Sequence, residues 1–85
     1  MYLRAEDQAL VPDFCAALPE VAEEHPDSKV ELIQLWLAAD RWAVSHGYRS
    51  FPLGAFRRLV LSTGYAVSRG RRGQYVYGLA LRTTY

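Results

Sequence analysis

The apolar residues of this chain change period once, at Gly64. Before it they recur three and four residues apart, the spacing of helices; after it they alternate, the spacing of strands. Residues 5–24 read as helical through Leu10, Phe14, Ala17, Leu18 and Val21, with Pro12 placed to open a helix at Asp13 and Pro19 to kink or end it. His25-Pro26-Asp27 makes a break, because the residue before a proline avoids the helical region. Ser28-Lys29-Val30-Glu31 then fits a capping box, which opens a long helix running to Gly47. That helix is apolar over most of its surface, Trp36 and Trp42 included, and is expected to be the central one.

Tyr48-Arg49-Ser50-Phe51 connects it to a third helix, with Ser50 as the expected cap and Pro52 in the first turn. On that helix Leu53, Phe56, Leu59 and Val60 form the expected buried face; Ala55, Arg58 and Ser62 are expected to point outward, with Arg57 at the flank. Beyond Gly64, residues 65–69 and 74–82 read as two strands joined by the tip Gly70-Arg71-Arg72-Gly73. Tyr75, Tyr77, Leu79 and Leu81 would share one face of the second. The expected fold is mainly α with a C-terminal β-hairpin, a winged helix-turn-helix. It fills a single domain, 1–85, made of an acidic helical segment 1–27 and a core 28–85.

The near-neutral total charge of +1 conceals a division. All nine acids lie in residues 1–40, where only Arg4 and Lys29 oppose them; residues 41–85 carry eight arginines and no acid. Such a chain is polar end to end, with one side suited to a polyanion. Guanidinium groups bind phosphate oxygens through a planar fork and can also read guanine edges. The residues expected to contact DNA are Arg49, Arg57, Arg58, Ser62, Arg69, Arg71, Arg72 and Arg82. Arg58 is the one expected to reach bases, and the glycine-bounded Arg71 and Arg72 are expected to hold phosphates. A duplex is the favoured form. The competing use of the same outline is protein–protein contact, with the arginines against an acidic partner and Leu61 or Tyr48 at the centre.

The stretch from Val30 to Arg82 resembles the C-terminal winged-helix domain of phage, plasmid and poxvirus-type primase-helicases, a primase-like DNA-binding domain. The resemblance rests on Leu32, Trp36 and Arg41-Trp42, on His46-Gly47-Tyr48, on Phe51-Pro52-Leu53 and on Phe56-Arg57-Arg58-Leu59. It continues through Gly64-Tyr65 and the closing run Gly73-Gln74-Tyr75-Val76-Tyr77-Gly78-Leu79-Ala80-Leu81. It implies DNA binding in the replication or maintenance of a mobile element, beside a helicase or primase that the acidic segment could dock. It implies no catalytic residue here, and no P-loop is present, since Lys29 follows Ser28 rather than glycine.

No enzymatic activity, cofactor or metal is expected. Cys15, His25 and His46 lack the paired spacing of a zinc site. Cys15 reads as a small core residue, and a single cysteine agrees with a reducing cytoplasm. No apolar run is long enough to span a membrane, and no secretory signal is visible.

Overall fold

The computed structural model describes residues 3–82. It contains three helices and a three-stranded antiparallel sheet in the order α1 (Ala5–Val21), β1 (Ala22–Glu31), α2 (Leu32–Ser45), α3 (Leu53–Ser62), β2 (Val67–Gly70) and β3 (Gly73–Leu81). The sheet runs β1-β3-β2, so the hairpin's second strand is central.

α1 is one helix despite its two prolines, which neither open nor end it. Pro12 and Pro19 both lie on the exposed side, two turns apart. The carbonyls that lose an N–H partner there can be met by water, so the cost of each proline stays local. The opposite side, Asp7, Leu10, Phe14, Ala17 and Val21, is buried. Cys15 is exposed rather than in the core.

The largest departure from the sequence reading is β1. Ser28-Lys29-Val30-Glu31 does not cap α2; it is strand, and α2 starts at Leu32 with no side-chain cap. Glu23 and Glu24 pair with Ala80 and Leu79, and Lys29 to Glu31 pair with Tyr77 to Tyr75. Between the two paired stretches the register shifts, and Pro26 falls inside that irregularity, where its missing N–H removes no ladder bond. β3 therefore supplies the partner that makes a strand of this polar segment.

α2 buries one stripe, Leu32, Leu35, Ala39 and Ala43, rather than most of its surface; Ile33 and Val44 are exposed. Its end follows the expectation at Gly47. There φ is +82°, Tyr48 N donates to Ala43 O at 2.8 Å and Gly47 N to Val44 O at 3.2 Å. That pair of bonds closes the last turn through a residue in the left-handed region.

Ser50 does not cap α3. Asp40, from α2, accepts Ser50 Oγ at 2.6 Å and Phe51 N at 2.8 Å, and Pro52 occupies the cap position. This holds Phe51 inward, where Trp36 Nε1 donates to its carbonyl at 2.6 Å. Phe14, Phe51 and Phe56 then meet at 5.4–6.5 Å between ring centroids, joining α1, the connector and α3. On α3 the buried residues are Ala55, Phe56, Leu59 and Val60, while Leu53 is exposed, so Leu53 and Ala55 exchange their expected places.

β3 does not keep a single alternation. Val76 and Leu79 are buried, while Tyr75 is half-buried and Tyr77 exposed. Gly78, at φ +93°, resets the phase between them. One hydrophobic core joins all three helices, β1 and β3.

Candidate functional site

The hairpin tip and the strand end before it carry three exposed arginines, Arg69, Arg71 and Arg72. Gly70 pairs with Gly73, leaving Arg71 and Arg72 as a two-residue turn. Gly73 takes φ +128°, which only glycine adopts readily, while both arginines keep negative φ. Arg69, Arg71 and Arg72 are exposed, and none of their side chains has a hydrogen-bond or ion-pair partner among the described residues. They border a groove of about 460 Å³ whose far wall is Leu32 and Ile33 of α2 and Leu53 of α3. Glu31 is the one acid lining it.

Arg57 completes the cluster. Its Nε donates to Gln74 Oε1 at 2.6 Å, and Gln74 lies opposite Arg69 in the hairpin register. This bond fixes the guanidinium between α3 and the hairpin, and its two terminal nitrogens have no acceptor among the described residues. At the start of α3, Gly54 is exposed beside Arg58 Nη1, and the helix begins without a side-chain cap. The first N–H groups of the helix therefore need an outside acceptor, and the helix dipole favours a negative one. Three guanidinium groups lining the groove and a fourth bonded to its wall at Gln74 can hold a polyanion.

Three other arginines of the acid-free half go elsewhere. Arg58 does not point to solvent. Its Nε donates to Asp7 Oδ2 at 2.6 Å and its Nη2 to Oδ1 at 2.9 Å, a two-pronged bond across 51 residues of sequence. Asp7 is fully buried and also accepts Arg4 N at 3.1 Å. The Arg58 hydrogen bonds hold the Asp7 carboxyl below its ordinary pKa against the opposing effect of burial, and the same contact raises that of Arg58. A guanidinium engaged in this way has no free fork for a base.

Arg82 lies beyond the far end of β3 from the tip. Its Nε donates to Pro19 O at 2.8 Å and its Nη1 to Glu23 Oε2 at 3.4 Å. Arg49 reaches Ala9 O at 3.5 Å. Ser62 is exposed but donates its hydroxyl to Leu59 O at 2.8 Å, and it sits at the end of α3 away from the groove. Of the eight residues expected from sequence, Arg57, Arg69, Arg71 and Arg72 come together; Arg49, Arg58, Ser62 and Arg82 do not. Sequence reasoning missed Gln74 as the residue that positions Arg57.

Another groove, about 720 Å³, runs along the opposite flank of α2 between Leu37, Trp42 and Leu81, with Arg41 at its edge. Trp42 there stacks on His46 at 4.1 Å and on Tyr48 at 5.6 Å, so its ring is engaged within the protein. Among the described residues no cluster of three metal-binding side chains exists, and no helix is long and apolar enough to cross a membrane. Comparison of the chain with protein-family models, with curated proteins and with solved structures gave no match in any of the three.

Proposed function

We propose that this chain is a winged-helix domain that binds duplex DNA, with α3 and the β2–β3 hairpin as its contact elements. The observation that carries the reading is the gathering of Arg69, Arg71 and Arg72 at one groove, with Arg57 bonded to Gln74 in its wall, while Asp7 of α1 is turned inward on Arg58. Support for the architecture comes from the element order: three helices, a strand between the first two, and a terminal hairpin that this strand extends to a sheet. In a winged helix the third helix addresses the groove of the duplex and the hairpin the neighbouring backbone. Here α3 presents Leu53 and Arg57 next to the hairpin. The slim tip, with glycine on either side, brings Arg71 and Arg72 to phosphates. The resemblance to primase-helicase C-terminal domains gives this binding a setting in the replication or maintenance of a mobile element.

The reading gives Arg57 the place that sequence assigned to Arg58. A guanidinium held at Nε keeps its terminal nitrogens free to bind a phosphate or a guanine edge. Four phosphate contacts correspond to a slope of log K against log salt near −3.6, at about 0.9 per phosphate. Fluorescence anisotropy of a labelled duplex in rising salt measures it. A slope near zero, or no binding at low salt, would remove the proposal.

A further inference from the structure

The sheet has a second surface that the arginine groove does not use. Register places Tyr75 between Ser68 and Glu31, and Tyr77 beside Lys29, while Val76 between the tyrosines is buried. Side chains alternate across a strand, so both tyrosines stand on the outer face, Tyr77 with 41% of its surface exposed. An uninterrupted strand would have aligned Tyr75, Tyr77, Leu79 and Leu81, and burial of the leucines would have taken the tyrosines inside. Gly78 prevents this: its φ of +93° puts Leu79 on the Val76 side and leaves the tyrosines outside.

A second glycine shapes the same face. A Cβ on Gly70 would lie 2.7 Å from Tyr75 Cε2, so the ring lies close over the β2 backbone. Lys29 Nζ stands 4.7 Å from the Tyr75 ring centroid and 5.9 Å from that of Tyr77. The Tyr77 hydroxyl accepts a bond from Ser68 Oγ at 3.3 Å, which steadies that ring from β2.

We propose that this face is a stacking surface for single-stranded nucleic acid, with Tyr75 and Tyr77 taking successive bases and Lys29 the phosphate between them. Residues two apart on a strand are about 6.7 Å apart, a spacing that one extended nucleotide covers. Every base has a π-face, so two tyrosines accept a strand with little regard to sequence. Lys29 Nζ, which lies over the Tyr75 ring and more loosely over that of Tyr77, turns off the ring faces to meet the backbone when bases stack there, and Arg71 and Arg72 continue the positive charge beyond the end of the same strand. Glu31 flanks Tyr75 on the β1 side and directs the backbone toward Lys29 and the tip. A duplex keeps its base faces stacked within itself and cannot use this surface. The proposal therefore goes beyond the duplex reading and stands without it.

Anisotropy with a labelled oligothymidylate, run beside a labelled duplex, tests the assignment. The full chain binds the oligothymidylate; Tyr77→Ala and Tyr75→Ala each weaken it by roughly ten-fold or more, and Tyr77→Phe leaves it little changed. Duplex affinity stays at the wild-type value in all three. Irradiation of an oligonucleotide carrying 5-iodouracil crosslinks it to Tyr75 or Tyr77, read by mass spectrometry of the digest. Failure of the wild type to bind the single strand overturns the proposal. So does wild-type affinity in both alanine variants with normal thermal melts, a crosslink confined to other residues, or an equal loss of duplex affinity. Absence of duplex binding alone would count against the groove and leave the sheet face standing.

Discussion

Arg58 and Arg71 are the same side chain under opposite conditions. The guanidinium of Arg58 closes its fork on a fully buried carboxylate, and its charge is used inside the fold. That of Arg71, on a two-residue turn, meets no acceptor among the described residues. The eight arginines of residues 41–85 look like one reservoir of positive charge. In space Arg58 and Arg82 fasten α1 and β1 to the rest, while Arg69, Arg71 and Arg72 line a groove and Arg57 is bonded to Gln74 in its wall. Surface charge follows from which acids fold against which bases, and a linear count cannot give it.

The sharpest way to break this comparison is to exchange the roles by mutation. Arg58→Ala leaves Asp7 buried without its main partner, and Asp7→Ala leaves a cation without its own. Either change lowers the melting temperature by on the order of 10 °C, because loss of one member of a buried pair is far worse than loss of both. The double variant Asp7→Leu/Arg58→Met recovers much of that loss. Arg71→Ala/Arg72→Ala melts with the wild type. Circular dichroism melts of the four proteins decide it, and equal melting temperatures across the set would show that Arg58 is no more structural than Arg71.

The same contrast has a pH dependence. The folded pKa of Asp7 is lowered, chiefly by the Arg58 hydrogen bonds. An acid whose pKa falls on folding binds fewer protons in the native state, so its contribution is complete above its unfolded value, about 3.9. That contribution is lost as pH drops through the folded value. Urea titrations from pH 7 down to pH 2 should show stability falling below about pH 4. The Arg58→Met variant should lose the Asp7 part of that dependence. A wild-type stability that is flat through this range contradicts the buried pair.

At the groove the expected effect is on binding and not on folding. Arg71→Ala/Arg72→Ala should weaken all duplex sequences alike and reduce the salt slope by about 2, one contact for each arginine. Loss of affinity for one preferred sequence only would make the tip a reader of bases. An unchanged slope would detach the hairpin from the interface.

Much of the architecture was legible because it depends on local pattern. The change of period at Gly64 located the hairpin, and Gly47 located the end of α2. β1 was hidden because residues 22–31 are mostly polar and carry Pro26; they become a strand only when β3 offers a partner. The phase of β3 was misjudged at Gly78, whose positive φ a strict two-residue alternation does not anticipate. Arg58 was assigned outward because its partner is remote in sequence. A signal was nonetheless present in α1. Asp7 lies three residues before Leu10 and seven before Phe14, on the stripe that becomes buried. An acid on an apolar stripe requires a buried partner, and the arginines are the bases available in the second half.

Arg49 provides the finest test, because it stands between the two groups. It is exposed like the tip arginines, yet it reaches toward α1 like Arg58. Among the described residues its side chain makes one hydrogen bond, Nη2 to Ala9 O at 3.5 Å, the long end of hydrogen-bonding distance, to a neutral acceptor at an exposed position. Such a bond contributes little, and Arg49→Ala should change stability by no more than about 0.5 kcal/mol, as a surface substitution does. The connector that carries it ends beside Leu53 of the groove wall, but Arg49 itself does not line the groove and its side chain reaches Ala9 of α1. Arg49→Ala should therefore leave the salt slope for duplex DNA unchanged as well. Thermal melts and anisotropy on this one variant measure both. A melting temperature several degrees lower would move Arg49 into the group that fastens α1. A slope reduced by about 1 would add one phosphate contact and carry the DNA track around α3 onto the connector.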